Sequence, residues 1–188
     1  MKRAIKILLC LVLILTFIFS LCSCDKKLSE TEAKMLVEDM VKASHELNEI
    51  LYGEGMRYEE SLTGEYYSIY SHIAMDQPYL TEHSLKVRIQ EVFSASYANS
   101  IIGYTFTLTQ GVVGGKNNPR YFTGSDGYLT VYRDYEKLDI TDYDYTTIKI
   151  EKIKRSKIVA TVTSTENEVV EVTLVKEANG WRVDSATV

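Results

Sequence analysis

Val169-Val170-Glu171-Val172-Thr173-Leu174-Val175-Lys176 runs into Asn179-Gly180 and leaves through a last strand, Trp181–Val188. Residues rich in β-branching on both sides of an Asn-Gly pair read as two antiparallel strands joined by a tight hairpin, because both turn residues tolerate the positive backbone angle it needs. Working upstream, Ile158–Ser164, Thr146–Ile153 and Tyr128–Tyr132 have the same strand character. Gly124-Ser125-Asp126-Gly127 supplies another turn. Tyr104, Phe106 and Leu108 alternate with Thr105, Thr107 and Thr109, which predicts a half-buried strand there too.

Before Gly103 the apolar period is helical. Ser29 with Glu32 forms a capping box, and Ala33, Leu36, Val37, Met40, Val41, Ser44, Leu47 and Leu51 recur at three and four residues, predicting a helix that ends near Gly53. A second helix is expected to start at Thr81 or Ser84, to carry Leu85, Ile89, Val92, Phe93 and Tyr97 on one side, and to stop at Gly103. Between them, Glu54 to Tyr79 is broken by Gly55 and Gly64 and reads as a short helix or turn. Helices followed by consecutive strands imply an α+β fold, with two or three N-terminal helices on a curved antiparallel sheet of about five or six strands.

The N-terminus reads as a leader. Lys2, Arg3 and Lys6 precede the apolar run Ile7–Phe19, and Leu21-Cys22-Ser23-Cys24 follows it. This motif resembles the bacterial lipobox, which implies cleavage before Cys24, diacylation of its thiol, and anchoring at the outer face of the cell membrane. The expected organisation is a signal peptide at 1–23, a lipidated end and tether at 24–28, and one domain at 29–188. Cys10, Cys22 and Cys24 are the only cysteines, so the mature chain has no disulfide. Three of the 21 Lys and Arg lie in the leader, leaving 18 against 26 Asp and Glu, a net charge of −8. Such a surface argues against nucleic acid and favours encounter with a basic partner.

No motif amounts to an active site. His45-Glu46-Leu47-Asn48-Glu49 begins like a zinc-peptidase helix but holds Glu49 where the second imidazole belongs. Gly114-Gly115-Lys116 lacks the Ser or Thr of a phosphate loop, having Asn117. A lipidated Cys24 cannot act as a thiolate. The expectation is a non-enzyme without metal or cofactor.

Two segments stand out as recognition candidates. Tyr132, Tyr135, Tyr143 and Tyr145 interleave with Asp134, Glu136, Asp139, Asp142 and Asp144, and tyrosine offers large contact area at low rotamer entropy. The loop Gln110–Thr123 is long for a hairpin and ends in Arg120, Tyr121 and Phe122. Tyr121, Phe122, Tyr132, Tyr135, Asp139, Asp142, Tyr143 and Asp144 are therefore the candidate partner-binding residues. An ordinary solvated loop with half-buried tyrosines explains the same pattern.

The helix-then-meander order, with Asn179-Gly180-Trp181-Arg182-Val183-Asp184 in the last strand, resembles the NTF2-like and cystatin-like folds of secreted lipoproteins. The stretch Val87–Phe106, including Val92-Phe93-Ser94-Ala95-Ser96-Tyr97-Ala98-Asn99, and the stretch Thr146–Asp184 are similar to the DL-endopeptidase inhibitor family. That resemblance implies binding and blocking a peptidoglycan-cleaving cysteine peptidase at the cell envelope. The alternative is a small-ligand pocket inside an NTF2-like cone, lined by Tyr97, Tyr104, Phe106 and Trp181. A structural spacer is a third reading.

Overall fold

The computed structural model describes residues 28–60, 69–107 and 119–185. The leader, Cys24 and most of the Gln110–Thr123 loop, including Gly114-Gly115-Lys116, lie outside the described residues.

Helix α1 (Glu30–Leu51) starts where its capping box requires: the Ser29 hydroxyl accepts from the Glu32 amide, and the Glu32 carboxylate accepts from the Ser29 amide. Its apolar stripe buries Ala33, Val37, Val41, Leu47 and Leu51. The next element among the described residues is a three-residue strand, β1 (Tyr70–His72); residues 61–68 of the segment expected to hold a short helix or turn lie outside the described residues. Ser71 is buried there between partly exposed Tyr70 and His72, a period of two.

The expected second helix is two helices, α2 (Glu82–Val92) and α3 (Ala95–Phe106). Phe93 is extended, with φ −99° and ψ 150°, and forms a parallel bridge to Val183, while the Ser94 amide donates to the Val183 carbonyl at 2.9 Å. Ser94 then caps α3 and its hydroxyl meets the Asp184 carboxylate at 2.5 Å. A tertiary contact thus breaks a run whose local pattern is continuous. Gly103 does not stop α3, which carries on to Phe106. The alternation from Tyr104 predicted a strand, but Ala98, Ile101 and Thr105 are the buried positions, at helical spacing.

The remaining elements are β2 (Tyr121–Thr123), β3 (Leu129–Tyr132), β4 (Tyr143–Ile153), β5 (Lys157–Ser164), β6 (Val169–Glu177) and β7 (Gly180–Val183). The fold is α+β, with three helices and two antiparallel sheets among the described residues, in place of one sheet of five or six strands. The small sheet has the order β1-β3-β2, and the larger is the meander β4-β5-β6-β7. The β6–β7 hairpin pairs Glu177 with Gly180, so its two turn residues are Ala178 and Asn179, one position earlier than the Asn-Gly pair suggests. Gly180 alone takes the positive angle, at φ +125°.

α1 packs on the larger sheet, whose buried face supplies Ile158, Ala160, Val162, Val172 and Leu174. α2 adds Leu85, Ile89 and Val92 to the same core. Among the described residues the buried core runs from Ala33 to Val183. Among the described residues no helix is long and apolar enough to cross a membrane.

Candidate functional site

A helix leaves its last carbonyls without intrahelical donors, and a cation near them is favourable because the helix dipole is negative there. α1 has no basic residue in its last turn. The donors come instead from two consecutive residues at the start of β2. Arg120 Nη1 donates to the Leu51 carbonyl at 3.1 Å, and Nη2 to that of Gly53 at 2.8 Å. The Tyr121 hydroxyl donates to the Ile50 carbonyl at 2.9 Å and accepts from the Met56 amide at 3.1 Å. Both side chains are buried, Tyr121 fully and Arg120 to 3% exposure. Gly55, at φ +82°, lets the chain pass directly over the guanidinium.

Three tyrosines close the other side. The Tyr135 ring lies 4.5 Å from the Arg120 guanidinium carbon, a cation–π distance, and its hydroxyl donates to that of Tyr104 at 3.2 Å. The Tyr104 ring sits 6.0 Å from that of Tyr52. Burial, with Tyr104 adding to it, pushes the Tyr52 phenol up to about 12 against the opposing pull of Arg120. Burial also raises Tyr135, and its bond to Tyr104 adds to the shift. The Tyr52 and Tyr135 phenols therefore stay neutral at any physiological pH.

The connection from β3 to β4 crosses this junction. Its backbone is held at Arg133, whose amide donates to the Ile69 carbonyl at 2.8 Å, and at Leu138, whose amide donates to that of Tyr52 at 2.9 Å. Asp142 closes it by accepting from the Thr165 amide at 2.9 Å. Lys137 pairs with Glu54. The strip is thereby fixed, yet Glu136, Leu138 and Asp139 face solvent, with Leu138 45% exposed. Beside it opens a cavity of about 650 Å³ whose lining includes Arg57, Tyr58, Arg120, Tyr132, Arg133 and Tyr135.

The aromatic and acidic candidates part company here. Tyr121, Tyr132 and Tyr143 are buried, Phe122 is half-buried edge-on to Tyr70 at 5.3 Å, and only Tyr135 of the group joins the junction as a half-buried ring. Asp139, Asp142 and Asp144 are exposed. Asp142 meets His45 Nε2 at 3.2 Å, and Asp144 accepts from the Thr146 amide and hydroxyl at 3.0 and 2.6 Å. The last two bonds hold the Asp144 carboxyl below its ordinary value. Of the four residues expected to line an internal pocket, Tyr104 bonds Tyr135, and Phe106 takes the Lys86 ammonium 4.8 Å from its ring centre. None of Tyr97, Tyr104, Phe106 and Trp181 lines the cavity beside Arg120.

No protein-family model matches the chain, and no curated protein matches it by sequence.

The histidines lie at separate places. His45 pairs with Asp142, and His72 Nε2 meets Asp126 at 2.8 Å while stacking on Tyr128 at 4.8 Å. The Tyr128 amide first, and His72 second, hold the Asp126 carboxyl low. Glu49, in the second zinc-ligand position of the His45 motif, accepts from the Glu54 amide at 3.3 Å. Among the described residues no three His, Cys, Asp or Glu side chains are grouped to hold a metal. From the sequence alone Arg120 figures only as part of the Gln110–Thr123 loop, with no role of its own. Its only signal was a charged residue directly before a tyrosine that proves fully buried, and Gly53-Glu54-Gly55 marked the place where it docks.

Proposed function

We propose that the chain is a non-catalytic lipoprotein, held at the outer face of a bacterial membrane through acylated Cys24, whose domain binds a protein partner in the cell envelope. The observation that carries the binding role is the strip from 133 to 142. It is an irregular connection whose backbone is tied down at Arg133, Leu138 and Asp142 while Glu136, Leu138 and Asp139 point outward. A segment ordered before binding loses little conformational entropy on contact, so its contacts convert to affinity efficiently. The exposed Leu138 supplies an apolar anchor, and the flanking carboxylates would steer a basic surface toward it.

The order of elements, ending in the hairpin that carries Asn179 to Asp184, supports likeness to NTF2-like and cystatin-like folds. With it comes the inhibitory version of the reading, in which the partner is a peptidoglycan-cleaving cysteine peptidase. The test titrates residues 25–188 into such a peptidase and follows hydrolysis of cell-wall fragments. Inhibition should saturate, and Leu138→Asp should raise the half-inhibitory concentration tenfold or more, about 1.4 kcal/mol. Full hydrolysis at saturating domain removes inhibition, and an unaffected Leu138→Asp variant removes the strip. Anchoring is checked separately: the expressed chain should carry diacyl mass at its N-terminus, and Cys24→Ser should leave the precursor uncut.

A further inference from the structure

A buried guanidinium normally meets a carboxylate, because taking a charge out of water costs several kcal/mol that carbonyl dipoles offset only in part. Arg120 is 3% exposed, and among the described residues no carboxylate stands within ion-pair distance of it. Its partners are the carbonyls of Leu51 and Gly53 and the ring of Tyr135. Two of its five N–H donors are used in those bonds, and Nε, itself buried, has no hydrogen-bond partner. An unsatisfied donor on a buried cation is rare enough to require an explanation.

The cavity of about 650 Å³ borders this residue, within the size range of small-molecule sites. Among the described residues Arg57, Arg120, Arg133 and Lys137 line it together with Glu54 and Glu60. The walls are aromatic as well: Tyr58, Tyr132 and Tyr135 line it, with the Arg133 guanidinium 4.9 Å from the Tyr58 ring.

We propose that this cavity binds a small organic carboxylate, with Arg120 as the charge it answers and Tyr58, Tyr132 and Tyr135 as walls for the apolar body that bears it. A monoanion fits better than a phosphate dianion. Of the other lining cations, Arg57 is paired with Asp76, Lys137 with Glu54, and Arg133 lies over the Tyr58 ring, so a second full charge would have to compete with those contacts. The cavity shares Arg133, Tyr135 and Lys137 with the protein-binding strip, but Leu138, the residue proposed to anchor a partner there, does not line it.

The test follows side-chain Nε–H and backbone resonances of ¹⁵N-labelled residues 25–188 while benzoate, neutral benzamide or inorganic phosphate is added. Benzoate should give saturable shifts at Arg120 and at the Tyr58 and Tyr132 amides, with benzamide and phosphate at least tenfold weaker. A short peptide with a free terminal carboxylate, compared with its amide, separates a peptide end from a free organic acid as the source of the group. Arg120→Lys should weaken benzoate tenfold or more. Because that change also removes bonds to α1, Tyr58→Ala is the second variant. With circular dichroism unchanged, it should weaken benzoate severalfold. Equal responses to benzoate and benzamide, tighter binding of phosphate, or benzoate affinity untouched by Tyr58→Ala would each overturn the assignment.

Discussion

Gly55 holds φ +82° directly against Arg120, and a Cβ there would sit 2.5 Å from Nη2 and 3.0 Å from the Tyr121 hydroxyl. Gly127 has almost the same angle, φ +87°, but a Cβ would meet nothing within 4 Å. The pair separates backbone strain from crowding. Gly127→Ala should cost about 1 kcal/mol, the strain of a left-handed alanine. Gly55→Ala should cost about 3 kcal/mol, because it adds displacement of a buried guanidinium and hydroxyl whose bonds finish α1. Urea unfolding of both variants measures the difference. Equal losses would mean that Arg120 is not packed as described. Nothing in the sequence distinguished these glycines, since both sit in polar turns. Only the long-range approach of Arg120 does so, and it joins residues 65 positions apart.

Among the elements, α1 was fully legible because its capping box and its apolar stripe agree on one start and one face. The four strands of the larger sheet were legible for the same reason, their ends moving by up to three residues except at the C-terminus, where β7 stops at Val183. Elements fixed from a distance were not. The run from Leu85 to Tyr97 has one helical period, and only the edge of β7 breaks it by taking the Ser94 amide. Tyr104 to Leu108 alternates like a strand, yet Tyr104, Thr105 and Phe106 complete a helix because Thr105 is drawn into the interior. The tyrosines of the 128–145 stretch were legible as unusual but not as buried, since ring burial depends on which sheet each strand joins. One bond tests this account of the break. Ser94 caps α3 and also donates to Asp184, which lies one residue beyond β7. Ser94→Ala should lose about 2 kcal/mol, combining a lost cap with a charge-assisted bond. Asp184→Ala should lose about 1.5 kcal/mol, and the double variant should fall short of the sum by at least 1 kcal/mol. Strict additivity in denaturant titrations would show that the helix break is local after all.

Across the whole molecule, among the described residues, the two sheets share no backbone ladder; α2 touches β2 of the small sheet and β7 of the larger one, and the buried cluster at the end of α1 adds a polar link. The larger sheet has strands of up to eleven residues and most of the apolar core, whereas no strand of the small sheet exceeds four. The small sheet is tied to α1 mainly by polar bonds from Arg120 and Tyr121, beside Tyr52, Tyr104 and Tyr135. That arrangement makes alkali a selective perturbant. Tyr52 ionises at about 12 in the folded chain against 10.0 in the open one, and Tyr135 is raised as well. Both states hold the phenolic proton below pH 10, so this contribution is complete there. Above it the unfolded chain gives up protons that the folded one keeps, and stability falls until pH passes the folded value. Tyr52 alone should account for a loss of about 2 kcal/mol between pH 10 and 12. Amide protection, corrected for base-catalysed exchange, should fall first at Tyr121 to Tyr132 and at Leu138. Ile158 to Val162 and Val172 to Leu174 should hold their protection further into the alkaline range. Tyr52→Phe should flatten the stability loss over those two pH units while keeping the ring packing. Simultaneous loss in both sheets, or an alkaline limb unchanged by Tyr52→Phe, would show that the junction does not hold the small sheet through these phenols.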